Sequence, residues 1–493
     1  MLRITDNLIK KQKRFWNAAV FHPTDAVEDP WGKRILDRMI VDGAVDTVRI
    51  YSMFEDIVYL DDDGSLCYDF RLSDLRLDYL TSMGYKLMVA YAGIPDCISA
   101  STEYKTTNAK NKTRYKGKMW NSAPPKDPSL WEEVCYEYTK HNVERYGIEV
   151  VSSWKCSCFN EPDAKSFFLS NLDRECVIDR ITEYSKMYDA FARGVRRVSE
   201  NIPIGGPALA GIPEFLEGFL RHVKDECIPM DFISLHGYGT SPKRLNENTR
   251  PFSVGDLMDK YRGYFAIIRK YGFEDIPILI DEWGMSSAGY LNREECPSLM
   301  ARENELISAY FTKLISELTY SELKLEMLAI CLSGQHEMVE DFSGFRNFFT
   351  LNMIKKPIYN AHILASRLAD NILEYKTDNP NINAVATKDD SGSYYVMLSY
   401  SSVNFKEDIP EITERILVDK DISGRRVTVW CIDKTHTNPY RVFLGMNKDT
   451  PDPDDLELLR KVGNLEPISV SDGSAPIELK LTPNSTYFVA IEG

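Results

Sequence analysis

Between residues 15 and 370 the chain alternates two patterns of apolar positions. Short runs rich in β-branched and aromatic residues, long enough for a buried strand, are each followed by a longer segment whose apolar residues return every three or four positions, as on one face of a helix. The runs are 15–21, Val45–Tyr51, Tyr85–Tyr91, Val150–Phe159, Ile202–Pro207, Phe232–His236, Ile276–Asp281 and Met327–Ser333. The periodic segments are Trp31–Ile40, Leu72–Met83, Leu130–Tyr146, Cys176–Val198, Glu214–Val223, Val254–Tyr271, Arg302–Leu318 and Tyr359–Leu368. Pro30 opens the first of these helices and Gly43 follows its end, the usual asymmetry of helix punctuation. Eight strand-helix units in succession predict an α/β fold, the (β/α)8 TIM barrel. An open doubly wound sheet would usually carry a glycine-rich phosphate loop after its first strand, and none is present.

From about residue 370 the pattern changes to short alternating runs separated by Asp, Gly, Asn and Pro: Asn383–Thr387, Ser393–Tyr400, Arg415–Val418, Arg426–Ile432, Ile477–Leu481 and Thr486–Ile491. These predict an antiparallel β-sandwich as an accessory domain. The acidic, proline-bearing stretch Asn447–Asp455 reads as an exposed loop.

The chemistry lies where strands end in polar residues. The fourth run closes with Asn160-Glu161-Pro162, which places a carboxyl group and an amide at the C-terminal lip of a strand, the end at which barrel enzymes gather their reactive groups. Cleavage of a glycosidic bond needs two carboxyl groups across the scissile bond. The seventh run supplies the second, ending Asp281-Glu282-Trp283-Gly284. Side chains alternate along a strand, so only one of Asp281 and Glu282 is expected in the cleft. The sixth run, Asp231-Phe-Ile-Ser-Leu-His236-Gly-Tyr238, brings an imidazole and a phenol to the same lip, where they could orient the nucleophile and contact a sugar.

Composition narrows the partners. With 59 basic and 74 acidic residues the net charge is −15, and no run of Lys or Arg occurs, which argues against nucleic acid or an anionic membrane and suits a neutral substrate. The N-terminal residues lack the apolar core of a signal peptide and no stretch is long enough to cross a bilayer, so a cytoplasmic location is expected. Ten cysteines without a zinc spacing agree with that. Cys156-Ser-Cys158 offers two sulfurs on one face of a strand without further ligands, so no metal and no cofactor is expected.

The ordered set of segments resembles glycoside hydrolase family 39. Carrying the resemblance are Arg49-Ile-Tyr-Ser-Met-Phe-Glu-Asp56, Tyr68-Asp-Phe, Pro124-Pro-Lys-Asp with Trp131 and His141, Glu144-Arg-Tyr-Gly147, Asn160-Glu161-Pro, Gly205-Gly-Pro207, Asp231-Phe-Ile-Ser-Leu-His236, Asp281-Glu282-Trp and Lys356-Pro357, across residues 45–370. The resemblance implies Glu161 as general acid/base, Glu282 as nucleophile and Asn160 as the amide on the sugar 2-hydroxyl. It implies Arg49 as a cation under the nucleophile, and His236 with Tyr238 as lining of the glycone site. Trp283 is taken as a sugar-stacking ring, with Trp120, Tyr290 and Phe345 as companions, and Glu337 as a further sugar contact. The family's architecture implies a barrel over 15–350 and a sandwich built from 1–14 and 351–493.

The implied reaction is double displacement with retention, releasing a terminal monosaccharide from a glycoside or oligosaccharide, most simply xylose from β-xylosides. Two segments depart from the family pattern: Lys155-Cys-Ser-Cys-Phe before Asn160, and Gly334-Gln335-His336-Glu337-Met after the eighth strand. Both bear on which sugar is taken. A uronate would need a cationic cradle, for which Lys155 and Arg346 are the candidates. The alternatives are an arabinosidase, a β-galactosidase, an α-L-iduronidase, or a carbohydrate-binding barrel without catalysis. Family resemblance also implies a homo-oligomer.

Overall fold

A computed structural model of the chain describes residues 1–22, 26–102, 121–169, 176–246, 252–289, 291, 293–332, 338 and 340–493. Its strands, in chain order, are β1 (Leu2–Lys11), β2 (Ala18–Val20), β3 (Thr47–Tyr51), β4 (Val58–Leu60), β5 (Leu66–Tyr68), β6 (Lys86–Tyr91), β7 (Lys155–Cys158), β8 (Ile204–Leu209), β9 (Phe232–Thr240), β10 (Ile278–Ser286), β11 (Leu325–Cys331), β12 (Asn371–Thr377), β13 (Ile382–Lys388), β14 (Tyr394–Tyr400), β15 (Ile412–Val418), β16 (Arg426–Ile432), β17 (Pro467–Ser471), β18 (Ile477–Leu481) and β19 (Ser485–Glu492).

Eight parallel strands close into a barrel in the order β2, β3, β6, β7, β8, β9, β10, β11, with β11 returning to β2 through Ala329 opposite Ala18. This is the TIM-type barrel expected from the alternation. Ala18, Met88, Phe232, Leu279, Met327 and Ala329 plug its N-terminal end. The outward side chains of the strands join the helices in one large apolar shell. The helices begin where the sequence places caps: Asp29 accepts the amides of Trp31 and Gly32 ahead of Pro30–Val41, and Asp127 accepts that of Ser129 ahead of Pro128–Tyr146.

The second unit is a nine-stranded, mostly antiparallel sheet, β17-β16-β19-β14-β13-β12-β1-β15-β18, in which β1 and β15 run parallel. Pairing between β1 and β12 is irregular near Leu8, and strands on both sides of that irregularity share one apolar cluster, so the sheet folds over onto itself. Helix Glu305–Thr319 lies between barrel and sheet and is buried on nearly all its faces. Ser316 Oγ donates to the carbonyl of Ala384 across this contact at 2.8 Å.

Two expectations fail locally. Val150–Phe159 is not one strand: Ile148–Ser152 forms a helical turn after the left-handed Gly147, and the strand is confined to Lys155–Cys158. A short apolar run does not declare its period, and here the chain must turn from the end of a helix back to the barrel floor. Likewise, the second part of Asn447–Asp455 is not a loop. Pro453 opens a helix to Val462, capped by Asp452 and Asp455, which accept each other's backbone amides.

Candidate active site

The reactive groups stand at the C-terminal lip of the barrel, and local backbone irregularities aim them. After β7, Phe159 and Glu161 both take left-handed backbone conformations, at φ 63° and 48°. Side-chain-bearing residues adopt that region only when neighbours enforce it. The amide of Glu161 donates to the carbonyl of Ala208 at 3.1 Å. The buried carboxylate of Asp163 accepts the amides of Ala210, Gly211 and Ile212 at 2.8, 2.8 and 2.9 Å. The loop bearing Glu161 is thereby stapled to the one that follows β8.

Midway along β10 the pairing register skips a residue: Ile280 faces Leu235, and Glu282, not Asp281, faces His236. This is a β-bulge, which breaks the alternation of side chains. Asp281 and Glu282 therefore both reach the same arginine, contrary to the expectation that only one could point inward. Trp283, next along the strand from Glu282, points out of the cleft. It is fully buried and stacks on Phe311 with ring centres 5.6 Å apart and planes 13° apart, so it cannot serve as a sugar platform.

Arg49, fully buried on β3, organises the floor. Its Nη1 donates to Glu282 Oε1 at 2.8 Å and to the Tyr51 hydroxyl at 2.9 Å, and its Nη2 to Asn160 Oδ1 at 2.8 Å. Its Nε lies 2.9 Å from Asp281 Oδ2, an ion pair without the alignment of a hydrogen bond. Tyr51 donates to Glu282 Oε1 at 2.8 Å and Tyr238 donates to Oε2 at 2.6 Å. Arg346 Nη1 donates to the Tyr238 hydroxyl at 3.0 Å. His236 makes its hydrogen bond to the other acid and acts on the nucleophile candidate through charge: its Nδ1 is 2.7 Å from Glu161 Oε1 and 3.7 Å from Glu282 Oε2. A carboxyl oxygen of Glu161, one of Glu282 and a ring nitrogen of His236 all lie within 4.8 Å of one another.

These surroundings push the two glutamates apart. Burial raises Glu161 and the charge of Glu282 adds to that, while the His236 contact works in the opposite sense. Burial would raise Glu282 too, but His236, Arg49, the Tyr238 hydroxyl and Arg346 together hold it well below the usual carboxylate range. His236 is disfavoured as a cation by burial, yet Glu282, Asp281 and Glu161 around it raise its pKa to about 9. Burial and the neighbouring charge of Glu282 thus favour the protonated form of Glu161, against the pull of His236.

Of the site residues expected from sequence, Arg49, Asn160, Glu161, His236, Tyr238 and Glu282 meet in one place. Glu337 lies outside the described residues, as do Trp120 and Tyr290. Lys155 stands at the start of β7, at the opposite mouth of the barrel, and pairs with Glu326 at 3.1 Å, so only Arg346 of the two candidate cations enters the site. Sequence reading missed Tyr51 and Asp163. Tyr51 was accessible, since a strand turns residues two apart to the same side and Arg49 already faced inward.

Cys156 and Cys158 are buried in the apolar shell. Elsewhere among the described residues, Cys431, Asp433 and His436 bring donor atoms within 4.8 Å. There Asp433 Oδ1 accepts the amides of Thr435 and His436, which closes the loop. No helix among the described residues is long and apolar enough to cross a membrane.

Comparison with known proteins finds similarity along nearly the whole chain. The model of "Glycosyl hydrolases family 39" matches residues 3–472. A β-xylosidase of Caldicellulosiruptor saccharolyticus is 26% identical, covering 100% of this chain and 99% of its own, and one of Geobacillus stearothermophilus is 23% identical, covering 91% and 84%. The crystal structure of a monomeric β-xylosidase from Caulobacter crescentus CB15 superposes with a TM-score of 0.82 at 17% identity, covering 100% of this chain and 99% of that one. A family match across nearly all of the sequence, on a barrel whose lip holds paired carboxyl groups, makes this chain a glycoside hydrolase and a member of glycosyl hydrolase family 39.

Proposed function

We propose that the protein is a retaining exo-glycosidase that releases terminal xylose from β-xylosides or xylo-oligosaccharides, with Glu282 as nucleophile and Glu161 as general acid/base. The observation that carries this is the approach of the two carboxyl groups to within 4.8 Å at their nearest oxygens. Double displacement holds its carboxyl groups about 5–5.5 Å apart, whereas inverting enzymes leave about 6.5–9.5 Å for a water between them.

In the first step Glu282, ionised and held by Arg49, Tyr51 and Tyr238, attacks the anomeric carbon. Glu161 gives its proton to the departing oxygen. His236 occupies Glu161 Oε1. The acidic proton is therefore carried on Oε2, the oxygen free to address the leaving group. Formation of the covalent bond removes the charge of Glu282, one of the causes that raise Glu161, so the same residue can then take a proton from the incoming water. Asn160 has its oxygen committed to Arg49, which leaves its amide nitrogen for the sugar 2-hydroxyl.

Xylose and exo action rest on the full-length similarity to β-xylosidases. Arg346 beside Tyr238 favours one second reading, a uronate glycone, and two α-L-iduronidases are among the relatives. The test is a panel of nitrophenyl glycosides that includes the β-xyloside and the α-L-iduronide, followed by mass spectrometry after a 2-deoxy-2-fluoro glycoside of the preferred sugar. The expected result is β-xyloside cleavage, first product of retained configuration, and a label on Glu282. An inverted first product would end the double-displacement reading. Ten cysteines without a disulfide support a reducing compartment, and hence a cytoplasmic enzyme.

A further inference from the structure

Behind the lip, Arg302, Glu303 and Lys356 are charged side chains with at most 3% exposure. Arg302 bridges two backbones: Nη2 donates to the carbonyl of Ser286, the last residue of the strand that carries Glu282, at 2.9 Å, and Nη1 to that of Gly344 at 3.2 Å. Glu303 Oε1 accepts the amide of Gly344 and the ammonium of Lys356, each at 2.7 Å. Lys356 also donates to the carbonyl of Phe345 at 3.2 Å. Gly344 sits at φ +82°, a conformation that side-chain-bearing residues rarely adopt. The next residue but one is Arg346, whose guanidinium lies against Gly289 so closely that a Cβ there would come within 2.7 Å of Nη2.

Buried ion pairs stabilise a fold weakly at best, because desolvation consumes most of their attraction, and apolar replacements of similar volume are often neutral. Stability alone is therefore a poor account of three charges at this place. What the cluster does is geometric. It fastens residues 344 and 345 to the end of β10, and so fixes Arg346 relative to Glu282. The Tyr238 hydroxyl has one proton, which goes to Glu282 Oε2 at 2.6 Å, and it accepts from Arg346 in return.

We propose that Arg302, Glu303 and Lys356 are positioning residues: a buried clamp that holds Arg346 on Tyr238 and thereby keeps the Tyr238 donor aimed at the nucleophile. The proposal rests on the assignment of Glu282 as nucleophile. Besides Arg346, the titratable and charged groups facing Glu282 are Arg49 and Tyr51 from β3, Glu161 after β7, His236 and Tyr238 from β9, Asp281 from β10 and Cys331 from β11.

The experiment is the rate at which a 2-deoxy-2-fluoro glycoside of the preferred sugar labels Glu282, with the pH profile of kcat/KM. Labelling of the wild-type enzyme is read first; a label on another residue defeats the nucleophile assignment itself and the clamp's role with it. Given a label on Glu282, Arg302→Met is expected to slow labelling about tenfold and to move the acid limb of the profile to higher pH. Arg302→Lys is expected to restore only part, since one ammonium cannot span both carbonyls. Combining Arg302→Met with Arg346→Met is expected to cost no more than Arg346→Met alone, because both act through one contact. Glu303→Gln with Lys356→Met removes the charges at similar volume and serves if Arg302→Met does not fold. Lys155→Met, at the far mouth, is the control and should label at the wild-type rate. A folded clamp variant with wild-type labelling and pH profile, or losses that simply add to that of Arg346→Met, would overturn the proposal.

Discussion

Two glutamates at neighbouring points of one barrel lip receive opposite treatment. Glu282 is met by a guanidinium and two phenolic donors on its two oxygens, with a histidine cation 3.7 Å away. Glu161 is hydrogen-bonded to His236 and otherwise stands in the loop that begins with the buried Phe159. One side chain is surrounded by positive charge and donors, the other mainly by the cost of burial. The difference shows that residue type does not set the role of a carboxyl group; the number of donors aimed at it does.

The largest effect should come from removing the better-held group. Glu282→Ala is expected to lower kcat/KM by about 10⁴-fold or more, since a covalent catalyst loses orders of magnitude on truncation. Added azide should then restore turnover and yield a glycosyl azide of inverted configuration. A variant that keeps a tenth of the wild-type rate would break the comparison at its stronger end.

Arg49→Met should follow, at about 10³-fold in kcat, comparable to the loss of a key electrostatic donor. It should also cost stability, about 3–5 kcal/mol, because Asp281 and Glu282 would remain buried with their shared cation gone. Urea unfolding monitored beside the kinetics separates the two. Wild-type stability with reduced rate would show that another cation replaces Arg49 beneath the pair.

Glu161→Gln tests the weaker-held group. Its effect should depend on the leaving group: about 10²-fold or more on a xylobioside, whose departing oxygen needs a proton, and little on a dinitrophenyl glycoside. The basic limb of the pH profile should vanish with it. Equal losses on both substrates would take the acid role away from Glu161.

How much of this contrast could be read in the sequence depends on what each feature needs in order to be visible. The barrel was legible because alternation of period is a repeated signal, and Glu161, Glu282, Arg49 and His236 were legible because they interrupt or end apolar runs. The bulge at Asp281 was not. Nothing in Ile280-Asp281-Glu282-Trp283 announces an extra residue in the ladder, and the assumption of strict alternation misplaced Asp281. β17 was missed because all its residues are exposed and it carries no half-buried alternation. The helix Pro453–Val462 was overlooked although Asp452, Pro453 and Asp455 form a capping signature; proline there starts the helix rather than excluding it. Asp163 could not be singled out, since its partners are backbone amides some fifty residues away, at Ala210, Gly211 and Ile212.

The smallest predicted change is the sharpest test of separate tuning. Tyr51 and Tyr238 donate to different oxygens of Glu282, at 2.8 and 2.6 Å, and each is itself contacted by an arginine, Arg49 or Arg346. Tyr51→Phe removes one donor and leaves the ring. A hydrogen bond to an ionised group contributes about 1.5–3 kcal/mol, and with Arg49 and Tyr238 still on the carboxylate the lower end is expected, a loss of roughly tenfold in kcat/KM. The sign of the pH effect follows from which form is stabilised. The hydroxyl favours the carboxylate, so its loss raises the pKa of Glu282, and the acid limb moves to higher pH. The basic limb reports Glu161, which Tyr51 does not touch, and should stay where it is. Profiles measured for Tyr51→Phe and Tyr238→Phe with one aryl glycoside decide the matter. If both limbs move together in either variant, the two carboxyl groups titrate as a single coupled unit, and the separate environments described for them do not govern the reaction.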